Sequence, residues 1–187
     1  MMNIKEIRIH GRGGQGAVTS SQVLAVAAFN DGKYSQAFPS FGVERQGAPV
    51  LAFARIADEE IHVRSQVYEP DYVIVLDPTL IQAVDVTAGL KKGGMLIINS
   101  NKKPSELGLK GKFIVKSFDI TKVAMEVIGK PFVNIASLGA FAALSNEISL
   151  ESLKKAVAVA MEGKGKMIEL NQKACERVYK ECKEGAK

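Results

Sequence analysis

The eight residues His10-Gly11-Arg12-Gly13-Gly14-Gln15-Gly16-Ala17 restrict what this chain can fold into more than any other stretch. Ahead of them Ile4, Ile7 and Ile9 stand among charged residues, and Ile7 and Ile9 alternate with Arg8 and His10, the pattern of a short strand. Behind them Val18 to Asn30 is rich in Ala, Leu and Val, with no Gly or Pro, as a buried helix requires. The stretch is therefore read as a strand-to-helix turn. Its four glycines permit backbone conformations that other residues resist and let a ligand approach the amides. Unpaired N–H groups and the positive end of the helix dipole then favour an anion, and a phosphate is the natural occupant.

Gly11 to Gly16 also fit G-x-G-x-x-G, the dinucleotide fingerprint, which needs an acid about twenty residues on to hold a ribose. Asp31 has that spacing, but in Asn30-Asp31-Gly32-Lys33 it reads as a solvated turn residue. The loop is thus suited to phosphate without specifying NAD. His10, at the end of the first strand, is a candidate to touch the anion.

Lys33 to Phe38 predicts a strand, and the remainder to Pro49, with two prolines and two glycines between Lys33 and Pro49, predicts a long loop of the kind that often carries function. Val50–Ile56 and Ile61–Arg64, joined by Ala57-Asp58-Glu59-Glu60, predict an antiparallel hairpin. Tyr72–Leu76, Met95–Ile98 and Phe113–Phe118 read as buried strands. Helices are expected from Asp77-Pro78-Thr79 through Leu90, from Asp119 to about Ile128, over the small-residue segment Asn134–Leu144, from Ser149 to Met161, and from about Lys166 to Lys183. The whole, residues 1–187, is expected to be a single three-layer Rossmann-like α/β domain with a mixed, mainly parallel sheet and a helical C-terminal region.

A net charge of +5 raises the question of nucleic acid, but the excess lysines are scattered without interleaved aromatics, and Trp is absent. The longest uncharged stretch, Pro131 to Asn146, is too short and polar for a bilayer, and the N-terminus shows no apolar signal region, so a cytoplasmic protein is expected. Cys175 and Cys182 lie too far apart for a Cys-x-x-Cys pair, and two thiols cannot hold an iron–sulfur cluster. His10 and His62 have no ligand-spaced partners, and the acids show no general acid–base pattern. A phosphate loop without catalytic machinery suits a subunit better than a complete enzyme.

Gly11-Arg12-Gly13-Gly14-Gln15-Gly16-Ala17, Gln36-Ala37-Phe38-Pro39, Gly42-Val43-Glu44-Arg45-Gln46-Gly47-Ala48-Pro49, Pro70-Asp71 and Asn134-Ile135-Ala136-Ser137-Leu138-Gly139-Ala140 together resemble the gamma component of 2-oxoacid:ferredoxin oxidoreductases. The resemblance implies a complex of alpha, beta, gamma and delta components that converts a 2-oxoacid and coenzyme A to acyl-CoA and carbon dioxide, passing electrons to ferredoxin. It implies that thiamine diphosphate and iron–sulfur clusters lie on the partner subunits and that no catalytic residue or metal ligand is carried here. It also implies that Gly11, Arg12, Gly13, Gly14, Gln15 and Gly16 cradle coenzyme A, with Phe41, Gly42 and Arg45 beside them. The Gln-Ala-Phe-Pro block is nearest to pyruvate enzymes, with 2-oxoisovalerate and 2-oxoglutarate enzymes as relatives. The segments Phe38–Pro49 and Asn134–Leu144 are expected to meet partner subunits. The competing readings are a stand-alone dinucleotide-binding protein or reductase, and a structural linker subunit that needs no ligand.

Overall fold

A computed structural model describes residues 4–40 and 45–185. The elements run β1 (Lys5–Arg12), α1 (Ala17–Asn30), β2 (Tyr34–Pro39), β3 (Pro49–Ala57), β4 (Tyr72–Val75), α2 (Leu80–Ala83), β5 (Met95–Asn99), a 3-10 turn (Pro104–Glu106), β6 (Ile114–Phe118), α3 (Ile120–Val127), α4 (Val133–Ser145), α5 (Leu150–Ala160) and α6 (Lys166–Glu184). The strands form one six-stranded sheet in the order β2-β3-β1-β4-β5-β6. β1 pairs antiparallel with β3 (Ile7 opposite Ala54) and parallel with β4 (Ile9 opposite Ile74); β4, β5 and β6 continue in parallel. The mixed, mainly parallel α/β sheet is as the sequence predicts.

The alternation along β1 sorts the core into two faces. Ile7 and Ile9, with Ala52, Ala54, Ile56, Ile74 and Ile97, face the helical side, where α1, α3 and α4 pack and α5 and α6 lie against them. α4 has ten of its thirteen residues buried, so the small-residue helix is the centre of the helical layer and leaves only Asn134, Leu144 and Ser145 partly exposed, little surface for the interface expected there. Its Gly139 explains how close α6 comes: a Cβ at that position would lie 2.3 Å from the Cys175 carbonyl oxygen. Cys175 donates its thiol to the Ile135 carbonyl at 3.1 Å. Burial pushes both Cys175 and Cys182 up to about 12, which makes them inert packing residues.

The opposite face is covered by α2 and connecting segments over Val73, Val75, Leu96 and Ile98, and toward β3 it carries buried charge. Here two expectations fail, for related reasons. Ile61–Arg64 is not a strand: β3 hairpins with β2 instead. The fully buried Arg55 pairs with Glu6 (2.9 Å), lies 5.1 Å over the Phe38 ring and donates to the carbonyls of Val63 and Ser65 (3.3 and 2.7 Å). That segment spends its carbonyls on a guanidinium rather than on a ladder. The helix expected through Leu90 ends at Ala83. Asp85 folds the chain into a turn by accepting from the Thr87 amide and hydroxyl, and Gly89 takes φ +69° where any Cβ would meet the Tyr68 carbonyl. The freed carbonyls of Val86 and Ala88 accept from buried Arg8 at 3.2 and 2.6 Å.

Arg8 also donates from Nε to His10 Nε2 at 3.0 Å. Burial, reinforced by the Arg8 cation, lowers the His10 pKa to about 3, so the imidazole is neutral and, on the face away from α1, brings no charge to an anion.

Two expected outcomes follow from this packing. Gly139→Ala should lower stability by about 1–3 kcal/mol, because backbone rather than a movable side chain blocks the methyl. Denaturant midpoints measure this, and Cys175→Ala should not rescue it; an unchanged midpoint would mean that α4 and α6 have slack. The second concerns pH. Because the His10 pKa is about 3 folded and about 6.5 unfolded, the unfolded chain binds the extra proton between those values. Stability from this group is therefore complete above about pH 6.5 and falls on acidification by up to ~1.4 kcal/mol per pH unit. His10→Gln, which keeps an acceptor for Arg8, should flatten the fall between about pH 6.5 and 5.

Candidate functional site

From β1 the chain leaves through α1 toward β2 and β3 on one side of the sheet, while β4 and β5 lie on the other. In open α/β sheets the crevice at such a switch, beyond the carboxyl ends of the strands, is where ligands bind. Here it opens into a cavity of about 730 Å³. Gly14, Gln15, Gly16 and Thr19 line one wall, the strand ends Leu76, Asp77 and Asn99 the floor, and Phe132–Ile135, Met161, Lys164, Met167 and Asn171 the far side.

The glycines divide into two groups by what surrounds them. Gly11 is still inside β1, opposite Val50, and a Cβ there would press on Ala17 and Leu76 at 3.2 and 3.3 Å. Gly13 serves the neighbouring backbone: its amide donates to the Ala48 carbonyl (2.9 Å), its carbonyl accepts from Gly47 (3.0 Å), and a Cβ would lie 2.2 Å from the Arg45 carbonyl oxygen. Gly14 and Gly16 have φ of +93° and +78° and line the cavity, Gly14 with open space where a Cβ would stand and Gly16 with Asn134 Nδ2 only 2.5 Å from such an atom. No hydrogen bond among the described residues claims their amides.

Arg12 and Gln15 hold this turn in shape instead of reaching for a ligand. Arg12 contacts Asp77 (3.1 Å), the Gly47 carbonyl (3.0 Å) and the Thr79 hydroxyl (2.7 Å). Gln15 accepts from the Arg12 amide (2.8 Å) and donates to Asp77 (3.0 Å). Burial works most strongly against ionised Asp77, but bonds from Thr79 and Gln15 and the charge of Arg12 together hold its carboxyl below the usual range. The phosphate-gripping role expected of the Arg12 guanidinium is therefore not what its contacts provide. Arg45 is exposed and does not line the cavity; Phe41 and Gly42 lie outside the described residues.

Two helix N-termini meet at the cavity, and both are bare. α1 begins at Gly16 and α4 at Phe132, neither with a side-chain cap nor an acid in its first turn. By contrast, α3 and α5 are capped by Asp119 and Ser149, and α5 and α6 carry Glu151 and Glu169 in their first turns. Ser20 ties the pair together, its one hydroxyl hydrogen shared between the carbonyls of Asn134 (3.0 Å) and Gly16 (3.2 Å). The Phe132 and Val133 amides are taken by the Lys130 and Pro131 carbonyls (2.8 and 3.1 Å), but the amides that follow have no side-chain cap, and two positive dipole ends point at one space. The charged side chains on the cavity wall are Asp77, already neutralised, and exposed Lys164. Among the described residues no cluster of His, Cys, Asp or Glu suitable for a metal occurs.

Several residues of this site were not assigned to it from the sequence. Asn99 donates to the Leu76 carbonyl and accepts from the Thr121 amide, joining β4, β5 and α3 at the floor. Asn134 and Asn171 are brought in from α4 and α6, and Lys164 from the connection between α5 and α6. The sequence marked Asn134 only as the start of a block that resembles the family, and the polar residue closing the apolar run Met95–Ile98 and the Gly163-Lys164-Gly165 break were the hints of Asn99 and Lys164.

The pyruvate ferredoxin/flavodoxin oxidoreductase family model matches residues 6–181. The chain is 58% identical over 154 residues to a pyruvate synthase subunit PorC of Methanosarcina barkeri, covering 82% of this chain and 85% of that one. It is 50% identical over 179 residues to the pyruvate/ketoisovalerate oxidoreductases common subunit gamma of Thermococcus kodakarensis, covering 93% and 95%. The crystal structure of the pyruvate oxidoreductase subunit PORC of Thermotoga maritima superposes with a TM-score of 0.82 at 37% identity, covering 95% of this chain and 96% of that one. The chain belongs to the pyruvate ferredoxin/flavodoxin oxidoreductase family, as a gamma subunit of a multi-subunit 2-oxoacid oxidoreductase.

Proposed function

We propose that this gamma subunit holds coenzyme A for a 2-oxoacid:ferredoxin oxidoreductase, with pyruvate as the 2-oxoacid, and helps to assemble the complex with alpha, beta and delta subunits. The observation that carries the coenzyme A reading is the meeting of two bare helix N-termini and the glycine turn in one cavity of about 730 Å³. The amides of Gly14 and Gly16 and the first turns of α1 and α4 bind the diphosphate. Lys164 on the cavity wall, and Arg45 exposed in the segment bonded to Gly13, supply cationic charge. Thiamine diphosphate and the iron–sulfur clusters, which provide carbanion chemistry and electron transfer when bound, belong in this reading to the partner subunits. Subunit contact falls to the exposed stretch of the loop before β3.

A nicotinamide dinucleotide is disfavoured by the sheet order. β2, the strand that follows α1, is separated from β1 by β3, so an acid at its end would not stand beside the glycine turn. Asp31 is instead engaged at the start of α5, accepting from the Ser149 amide and hydroxyl at 2.6 and 2.7 Å. The likeness to the Methanosarcina pyruvate synthase subunit supports pyruvate, while the Thermococcus relative is a subunit common to pyruvate and ketoisovalerate oxidoreductases, as suits a pocket formed mainly by other components.

In the assembled enzyme Lys164→Ala should raise the KM for coenzyme A by roughly two- to fivefold, the effect of one exposed charge, with the KM for pyruvate unchanged. An effect on pyruvate alone would sink the assignment. Calorimetric titration of the full chain should show heat with coenzyme A and none with NADH. The isolated chain, given pyruvate, coenzyme A, thiamine diphosphate and a viologen acceptor, should show no turnover; activity without partners would refute the division of labour.

A further inference from the structure

We propose that Asn171 reads the exocyclic amine of an adenine ring, which makes the α5–α6 wall of the cavity an adenine subsite; this rests on the coenzyme A reading above. Among the described residues Asn171 Oδ1 is the buried side-chain polar atom that lacks any hydrogen-bond partner, in a residue only 1% exposed. Its Nδ2 donates to the Met167 carbonyl, one turn back, at 2.8 Å. That bond fixes the orientation of the amide, since only the NH2 end can pair with a carbonyl, and Oδ1 is left as a lone acceptor. Native interiors satisfy nearly all such atoms, so an orphan set just behind the surface of a residue that lines a large cavity points to an occupant that opens the wall and completes it.

The neighbours decide what kind of occupant fits. Ala160, Met161, Met167 and Ile135 line the cavity around Asn171 and offer an apolar, polarisable surface to a flat heterocycle. Methionine side chains repack cheaply, so the wall over Oδ1 can open to a ring edge. Gly14, Gly16 and the α4 N-terminus line the same cavity and provide the phosphate end. A ligand with phosphates at one end and a heterocycle at the other places the ring edge against Asn171, and an acceptor there requires an N–H donor. Adenine carries an amine at its sixth position. Hypoxanthine carries a carbonyl at that position and would set oxygen against oxygen.

The test is calorimetric titration of the full chain with ADP, inosine diphosphate, 4′-phosphopantetheine and coenzyme A. ADP should bind roughly tenfold more tightly than inosine diphosphate, the worth of about one hydrogen bond. Asn171→Leu, checked for folding by circular dichroism, should bring ADP down to the inosine level and leave 4′-phosphopantetheine unaffected. Equal affinities for the two diphosphates on the unaltered chain would overturn the proposal without any variant. So would an Asn171→Leu variant that lost 4′-phosphopantetheine and kept ADP, since the atom would then serve an amide N–H. Coenzyme A binding with no preference between ADP and inosine diphosphate would end the adenine assignment and leave the coenzyme A reading standing. If neither coenzyme A nor ADP bound, both would fall.

Discussion

The Asp77 carboxylate at the end of β4 is the contact on which the site depends. By gathering Arg12, Gln15 and Thr79 it fastens the turn after β1 to the neighbouring strand, across the point where the chain divides to either side of the sheet. A glycine-rich turn left to itself has more conformational freedom than any other, and ordering it is entropically costly. With Gln15 bound at both ends of its amide and Gly13 bonded to residues 47 and 48, the turn has one shape, in which Gly14 and Gly16 face the cavity with their amides unclaimed by described residues. Arg12 and Asp77 neutralise each other in the process, so the pair adds little net charge and the local field is left to the helix ends.

A second constraint shapes the opposite face of the sheet. Arg8 and Arg55 point into the protein from adjacent central strands, and a buried guanidinium is tolerated only when its donors are met. Glu6 answers part of this for Arg55 and His10 part of it for Arg8; backbone carbonyls from residues 63, 65, 86 and 88 take further donors. The connections on that face are therefore held in irregular conformations by charge solvation. One mechanism thus accounts both for the missing strand at Ile61–Arg64 and for the early end of the helix at Ala83.

The helical layer places the far side of the cavity. α4 reaches the glycine turn because its small residues let α6 approach on one side and Ser20 of α1 bind its first turn on another. The same closeness sets its bare N-terminus beside that of α1 and brings Asn171, from the second turn of α6, to the cavity wall. Packing that looks purely structural in α4 is thus what makes the binding space.

Local pattern alone was enough for the strand-turn-helix at residues 5–30, the strands β2, β4, β5 and β6 to within a residue or two, and the helix starts at Asp119 and Ser149, because alternation, apolar runs and capping are properties of neighbours in sequence. The family, too, was legible in the glycine block and the segments that accompany it. Tertiary structure decided the rest. Gly13 and Gly14 are adjacent and chemically identical, yet one meets a backbone and the other faces a cavity, since their surroundings come from residues 45–48 and from the far side of the fold. Arg12 looked like a phosphate ligand until Asp77 came within 3.1 Å from 65 positions away, and Asp31 became a tertiary partner for Ser149, 118 positions on. Asn171 carried no mark in the sequence, because an unpartnered acceptor is defined only by the absence of neighbours, and the neighbours of a buried atom are set by the whole fold.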